Sequence, residues 1–273
     1  QSHTPSHAHS LTHLHTHSHT HSHSKRVVIA TCRNPSDATE LQALRVTYKD
    51  KLHILFIDLF NEKSIATASH VIKEQYGRLD VMINCSAVLH LHSLTGTSGG
   101  VMVPESSLSK FDPVAAMTSY HTNAIGAALM MKHFHTLMLT TAQVNATHSP
   151  THSPTHTHTV PVIANLSARV SSISDNRLGG WYSYRASKTA LNQLTKTAAV
   201  EFGPSRKKYP IVCVVLHPGT VATQLSKPFQ RNVPKEKLFT AEYSAECLLR
   251  VVDGLTLEST GHFYDYAGAE IPW

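Results

Sequence analysis

Tyr184 and Lys188 stand four residues apart in the run Gly179-Gly180-Trp181-Tyr182-Ser183-Tyr184-Arg185-Ala186-Ser187-Lys188. The two glycines read as a turn. Ala190, Leu191, Leu194, Ala198 and Phe202 then recur at helical spacing, and Gly203-Pro204 stops the pattern. On such a helix the Tyr184 and Lys188 side chains share one face, one turn apart. A tyrosine hydroxyl ordinarily titrates near pH ~10, too high for easy proton exchange at neutral pH. A nearby ammonium favours the phenolate and draws that value down. A tyrosine tuned in this way can pass a proton to or from a substrate oxygen as the adjoining carbon gains or loses hydride. A solvated Tyr and Lys on an amphipathic helix would share the spacing, and with nine Tyr in the chain a chance match is about as common as not. The surroundings of the pair must therefore decide.

Those surroundings are short apolar segments alternating with helical patterns. Val27-Val28-Ile29-Ala30 reads as a buried strand ending at Thr31-Cys32-Arg33-Asn34-Pro35, and Ser36 caps a helix to about Tyr48. His53 to Ile57 is the next strand and ends at Asp58, followed by a helix from Asn61 to Tyr76. Val81-Met82-Ile83 is the third and ends at Asn84. A polar loop covers Ser93 to Gly100, and a long helix from about Pro113 to Thr140 carries Asn123. Val160 to Leu166 and Ile211 to Leu216 are further strands, the second leading into His217-Pro218-Gly219. An irregular segment from Thr223 to Thr240, a helix from Ala241 to Val252 and a short strand around Phe263 follow. This alternation predicts an α/β fold, a doubly wound parallel sheet covered on both faces. Ligands bind such sheets at the carboxyl ends of the strands. Arg33, Asp58, Asn84, Ser167 and the Pro218-Gly219 turn all fall just past a strand end, which lifts the Tyr184–Lys188 pair above chance.

Composition narrows the classes. The 273 residues suffice for one large α/β domain or two small ones. No apolar run approaches the roughly 18 residues of a membrane span. The net charge of +6 is scattered, and its densest cluster, Arg206-Lys207-Lys208, reads as a solvated loop and not as a nucleic-acid surface. Cys32, Cys85, Cys213 and Cys247 are far apart in apolar stretches, as expected of reduced thiols in a cytoplasmic protein. Thirteen of the 22 histidines lie in two tracts, one within residues 1–24 and one at residues 147–159. The first is low complexity and is expected to be disordered, the second to be part of a loop insertion at about residues 142–159. Repeated imidazoles bind divalent metals weakly, whereas a dedicated site needs ligands fixed by a fold, so no metal site is expected.

As an ordered set, the motifs resemble the short-chain dehydrogenase/reductase family, in particular its C-factor-like, carbonyl-reductase-like branch. The set comprises Ile83-Asn84-Cys85-Ser86-Ala87 after a strand, Asn123 on the next helix, Leu166-Ser167-Ala168-Arg169-Val170, Tyr184 with Lys188, and His217-Pro218-Gly219-Thr220-Val221-Ala222-Thr223. The closing Tyr264-Asp265-Tyr266-Ala267-Gly268-Ala269-Glu270-Ile271-Pro272-Trp273 is similar to that branch as well. The resemblance covers residues 25–273 apart from the histidine insertion. It implies an NAD(P)-dependent oxidoreductase that moves hydride between a nicotinamide and a carbonyl or alcohol of a small molecule. By the same resemblance Tyr184 is the acid/base, Lys188 lowers its pKa and holds the nicotinamide ribose, and Asn123 anchors a water that feeds protons to the lysine. Asn84 and Ala87 lie along the adenosine ribose and Asp58 at the adenine edge. Pro218, Gly219 and Val221 pass the nicotinamide amide, and Thr223 lies near that amide or the phosphates. Arg33 stands where a cation would meet a 2′-phosphate, which favours NADP over NAD. Relatives commonly form homodimers or homotetramers through the helices bearing Asn123 and Tyr184.

Two departures from the family pattern are visible. The serine that hydrogen-bonds the substrate oxygen is usually the second of a Ser-Ser pair, and that position is Ala168. Ser167 fits by motif, while Ser171 or Ser172 fits by spacing from Tyr184. The family also opens on a strand, a Gly-rich turn and a helix whose N-terminus meets the pyrophosphate. Nothing of that kind precedes Val27. The expectation is a missing N-terminal β-α unit in an incomplete chain, a gap at the centre of the sheet, and as the alternative function a cofactor-free scaffold or inactive protein.

Overall fold

The computed structural model describes residues 12–17, 26–90, 102–147 and 160–273. In chain order its main elements are β1 (Thr12–His17), β2 (Arg26–Cys32), α1 (Thr39–Tyr48), β3 (Leu52–Phe56), α2 (Glu62–Tyr76), β4 (Val81–Asn84), α3 (Pro113–Tyr120) and α4 (Gly126–Thr147). These are followed by β5 (Val162–Leu166), α5 (Tyr182–Phe202), β6 (Val212–His217), β7 (Thr220–Val221), β8 (Leu238–Phe239), α6 (Ala241–Asp253) and β9 (Phe263–Asp265). Seven strands form one sheet in the order β3-β2-β1-β4-β5-β6-β9.

Successive strand residues feed opposite cores, because side chains alternate across a pleated strand. Ile163 of β5 joins Ile29, Met82, Phe134, Ile65, Ile72 and Phe202 in the core under α2, α4 and α5. Its neighbours Val162 and Ala164 join Val81, Ile83, Val212, Val214, Leu248 and Val252 in the core under α6. Ala30, Cys32, Leu41 and Leu52 pack beneath α1 on β2 and β3. Two-sided burial explains why these strands read as continuous apolar runs.

The centre of the sheet differs from expectation. The strand slot predicted to be empty is filled by Thr12–His17, from the tract expected to lack structure. β1 runs antiparallel to both neighbours, pairing Leu14 with Ile29 of β2 and Met82 of β4, and His13 with Ala30 and Ile83. All other pairings in this sheet are parallel. The direction follows from chain length. Only residues 18–25 separate β1 from β2, and a parallel partner needs a crossover of about a dozen residues or more. The strand therefore starts, and does not finish, at the sheet's carboxyl edge, with Thr12 level with Thr31 and Asn84.

Several boundaries shift for local reasons. The first helix starts at Thr39 behind Ala38, and the Ser36 hydroxyl bonds Asp37 in place of a helix N–H. The long helix predicted over residues 113–140 is two helices joined by a π-turn at His121–Ile125, which places Asn123 in the turn. Asp112 caps its start by accepting from Val114 N and Ala115 N, with Pro113 at the first helical position. α4 runs on to Thr147, so the first residues of the predicted insertion are helical; the rest of it, and the 93–100 loop, lie outside the described residues. Among the described residues no helix is long and apolar enough to cross a membrane, and no group of three His, Cys, Asp or Glu could hold a metal ion.

Candidate active site

Gly179, Gly180 and Trp181 are three consecutive residues at positive φ, of 64°, 66° and 52°. Glycine tolerates that region; Trp181 does not without support. Support comes from Trp181 N donating to Glu105 O at 2.6 Å and from its indole packing on Phe229 at a centroid distance of 4.8 Å. Arg185 grips the turn from the other side, donating to the carbonyls of Gly180, Gly179 and Val170. The reversed chain then enters α5 with Tyr184 in its first turn. Tyr184 is buried, with Trp181 edge-on at 6.2 Å.

Lys188 is 1% exposed, and its Nζ donates to Leu166 O at 2.7 Å. Burial pushes its pKa down to about 7. The expected lowering of the Tyr184 pKa does not appear. Burial drives that hydroxyl above its ordinary value, and no effect of Lys188 offsets it. Lys188 does not offset the exclusion of water from that hydroxyl, which disfavours the phenolate. It does act on Cys85 at the end of β4, whose thiol burial raises to about 12 while Lys188 pulls it back.

Asn123 joins three elements. Its Oδ1 accepts from Val88 N at 2.7 Å, and its Nδ2 donates to Val88 O at 2.9 Å and Ser187 Oγ at 3.0 Å. Ser187 Oγ in turn donates to Tyr184 O. The amide therefore ties the chain after β4 to the helix that carries Tyr184 and Lys188. The serine alternatives largely merge. Ser167 Oγ and Ser171 Oγ are bonded to each other at 3.1 Å, and Ser171 also accepts from Asn192 Nδ2 at 2.8 Å. Ser172 instead accepts from Asp175 N within its own turn.

The remaining candidates line the same edge with less uniform chemistry. Arg33 is exposed just past β2. Asp58 is half-buried, and its Oδ1 accepts from Phe60 N, a bond that locks its own turn. Asn84 is 4% exposed and donates from Nδ2 to Asn165 Oδ1 at 2.6 Å, while its Oδ1 is a buried acceptor without a partner. Ala87 is half-buried beside it. Pro218 O accepts from Ser244 Oγ, which fixes the turn after β6. Gly219 has φ 76°, and a Cβ there would lie 2.5 Å from the Phe239 ring, so only glycine fits. Val221 pairs with Phe239 between β7 and β8, and exposed Thr223 donates from its N–H to Val221 O. A groove of about 620 Å³ lined by Tyr243, Arg250, Tyr264 and Tyr266 contains none of these residues; strand ends, not that groove, build the candidate site.

Glu105 and Ser187 are neighbours of the Tyr184 turn that sequence reasoning missed. Ser187 sits within the Tyr184–Lys188 interval, but nothing marked it as the hydroxyl that meets Asn123. Glu105 lies in a Pro-Glu-Ser-Ser stretch that carries no periodic signal.

A family model described as enoyl-(acyl carrier protein) reductase matches residues 16–252. The chain belongs to the short-chain dehydrogenase/reductase family. It is 37% identical to the C-signal protein of Myxococcus xanthus over 111 residues, which is 41% of this chain and 60% of that one. It is 38% identical to 1-hydroxy-2-glutathionyl-2-methyl-3-butene dehydrogenase of Rhodococcus over 40% of this chain and 45% of that one. The matched segments thus span about half the length of these two relatives. Among solved structures it is similar to the carbonyl reductase Sniffer of D. melanogaster, with TM-score 0.72, 25% identity and coverage of 90% of this chain and 87% of that one. The NADPH-bound carbonyl reductase from chicken fatty liver gives TM-score 0.73 and 25% identity over 90% of this chain and 83% of that one.

The family implies a nicotinamide dinucleotide. The polar groups at this edge fit one: a buried tyrosine hydroxyl, a lysine one helical turn from it and the buried acceptor Asn84 Oδ1. The middle fits less well. β1 leads directly to β2, so no described helix offers its N-terminus where the sheet's central strand meets the carboxyl edge.

Proposed function

We propose that the chain is an NADP-dependent carbonyl reductase or alcohol dehydrogenase with Tyr184 as its proton donor. The observation that carries this reading is the buried Tyr184 beside a lysine whose pKa stands at about 7. A nicotinamide bound at this edge supplies the hydride. Burial keeps the Tyr184 hydroxyl protonated at neutral pH, the state needed to donate to a carbonyl oxygen. Lys188, able to gain and lose a proton near pH 7, refills Tyr184 from the same helix face. The Ser167–Ser171 pair supplies the hydroxyl that holds the substrate oxygen, and Asn123 keeps the chain after β4 in register with α5. Lys188 also holds the nicotinamide ribose; Asp58, Asn84 and Ala87 border the adenosine, and Pro218, Gly219, Val221 and Thr223 the nicotinamide amide. Exposed Met117, Ile125 and Val200 along α3, the π-turn and α5 support a homodimer or homotetramer through those elements.

Tyr184→Phe tests the mechanism. Turnover is expected to fall by at least about 100-fold while NADPH affinity, read by Trp181 quenching, stays within about twofold. A fully active Tyr184→Phe protein would refute it. Arg33→Ala is expected to weaken NADPH by about tenfold and to leave NADH unchanged, since only the former offers a 2′-phosphate. Unchanged NADPH affinity would assign Arg33 to the surface alone. The antiparallel β1, with no helix among the described residues to meet a diphosphate, favours a second reading in which the chain binds no dinucleotide. Calorimetry with NADPH separates the two: micromolar binding supports the reductase, and a folded protein without binding supports the scaffold.

A further inference from the structure

α5 begins without a cap of its own. Its N-cap residue Trp181 is left-handed and offers no side-chain bond to the first turn, although the first N–H groups of any helix need acceptors. The acceptor comes from another segment. Glu105, 4% exposed, takes Ser183 N at 3.2 Å on Oε2 and the Ser183 hydroxyl in a short bond on Oε1, while its backbone oxygen takes Trp181 N. Among the described residues Glu105 forms no ion pair. The positive end of α5 stands in for one, since a buried carboxylate is favoured where aligned peptide dipoles present unsatisfied N–H groups.

We propose that Glu105 is a positioning residue for Tyr184, a cap supplied to the catalytic helix by the chain after β4. This rests on the reductase reading above. Ser183 adjoins Tyr184, so the bonds that fix its N–H and hydroxyl also set the start of the turn from which the tyrosine projects. Asn123 holds the same chain segment to α5 one turn later, through Val88 and Ser187. Loss of the Glu105 cap frees the first turn while the second remains pinned, and the Tyr184 hydroxyl shifts relative to Lys188.

The test uses the full chain with Glu105→Ala, Glu105→Gln and Ser183→Ala. Steady-state carbonyl reduction, NADPH affinity and amide hydrogen exchange are read on each. For Glu105→Ala, kcat is expected to fall by about 10- to 100-fold, the scale of a sub-ångström misplacement, with the NADPH dissociation constant within about twofold. Exchange at Ser183, whose N–H loses its side-chain acceptor, is expected to rise about tenfold, with Leu191 to Phe202 unchanged. Glu105→Gln keeps an acceptor oxygen and is expected to recover kcat to within about fivefold of the unsubstituted chain. If Glu105→Ala does not fold, Ser183→Ala still removes one of the three bonds and should show a smaller effect of the same kind. Loosened amides with unchanged kcat would overturn the proposal, as would unchanged amides. A chain that reduces no carbonyl in any form would sink the functional reading, while the exchange measurement would still decide whether Glu105 holds the turn.

Discussion

Lys188→Met is expected to abolish turnover and to make the protein more stable at neutral pH. An unfolded lysine titrates near 10.5, whereas burial brings the folded Lys188 down to about 7. Between those values the unfolded chain binds a proton that the folded chain refuses. Stability therefore rises with pH across this window and is lost as pH falls toward 7, where the cost is roughly 4 kcal/mol. Methionine keeps the length and volume of the stem and removes the charge. Leu166 O loses its donor, which returns about 1–2 kcal/mol of that gain. A net rise of about 2–3 kcal/mol, or roughly 5 °C in the thermal midpoint, is expected at pH 7, shrinking to nothing or reversing near pH 10. Thermal melts at pH 7 and pH 10 on both proteins measure it. A midpoint equal to or below that of the unsubstituted chain at pH 7 would show that the lysine is not held under this strain. The result would place Lys188 among residues retained for chemistry at a cost in stability.

Removing residues 1–24 is expected to destroy the fold. β1 is the strand that joins β2 and β3 to β4, β5, β6 and β9. Without it, one edge of β2 and one of β4 lose their ladder partners in the middle of the domain, where unpaired peptide groups are costly and open strand edges aggregate. The deletion should yield insoluble protein, or a species that binds a hydrophobic dye and lacks near-ultraviolet circular dichroism. Leu14→Pro is the milder variant, since proline in a central strand removes a ladder bond and clashes with its neighbours. A soluble truncated chain with native near-ultraviolet signal and an unchanged midpoint would show that β1 contributes nothing to the sheet.

The outcome also shows what the residues announced in advance. β4, β5 and β6 were legible because strands buried on both faces must be largely apolar, as Val212 to Leu216 are, while the edge strand β3 showed through Ile54, Leu55 and Phe56. α5 was legible from its stripe, and the site edge from the polar residues that follow each strand. β1 was not, because alternating His and Thr has the composition of a solvated tract and only its neighbours' unmet hydrogen bonds call it into the sheet. The π-turn at Asn123 was hidden because one extra residue per turn barely disturbs an apolar helical pattern over a few turns. Spacing and the strand ends around them singled out Tyr184 and Lys188 as candidates, but not the direction of the Tyr184 shift. Spacing counts neighbours, whereas the shift depends on how far water is excluded from both groups. Asn84 shows the same limit: it is the last residue of β4 and stands at the expected edge, yet its amide nitrogen is used by Asn165 inside the core.

The reversed direction of β1 also bears on the order in which the sheet assembles. β1 and β2 form a local hairpin, whose strands can meet within about 1–10 μs once both exist. β4, the other partner of β1, lies some fifty residues beyond β2, after two helices and a parallel pairing that forms more slowly. During synthesis the free side of β1 must therefore wait, hydrogen-bonding groups exposed, for a neighbour that has not yet emerged. A strand of Thr-His-Leu-His-Thr-His suits that interval. One aliphatic residue in six is too few to drive pairing with a stray chain, so the low hydrophobicity that hid this strand in the sequence guards its edge until the sheet closes over it.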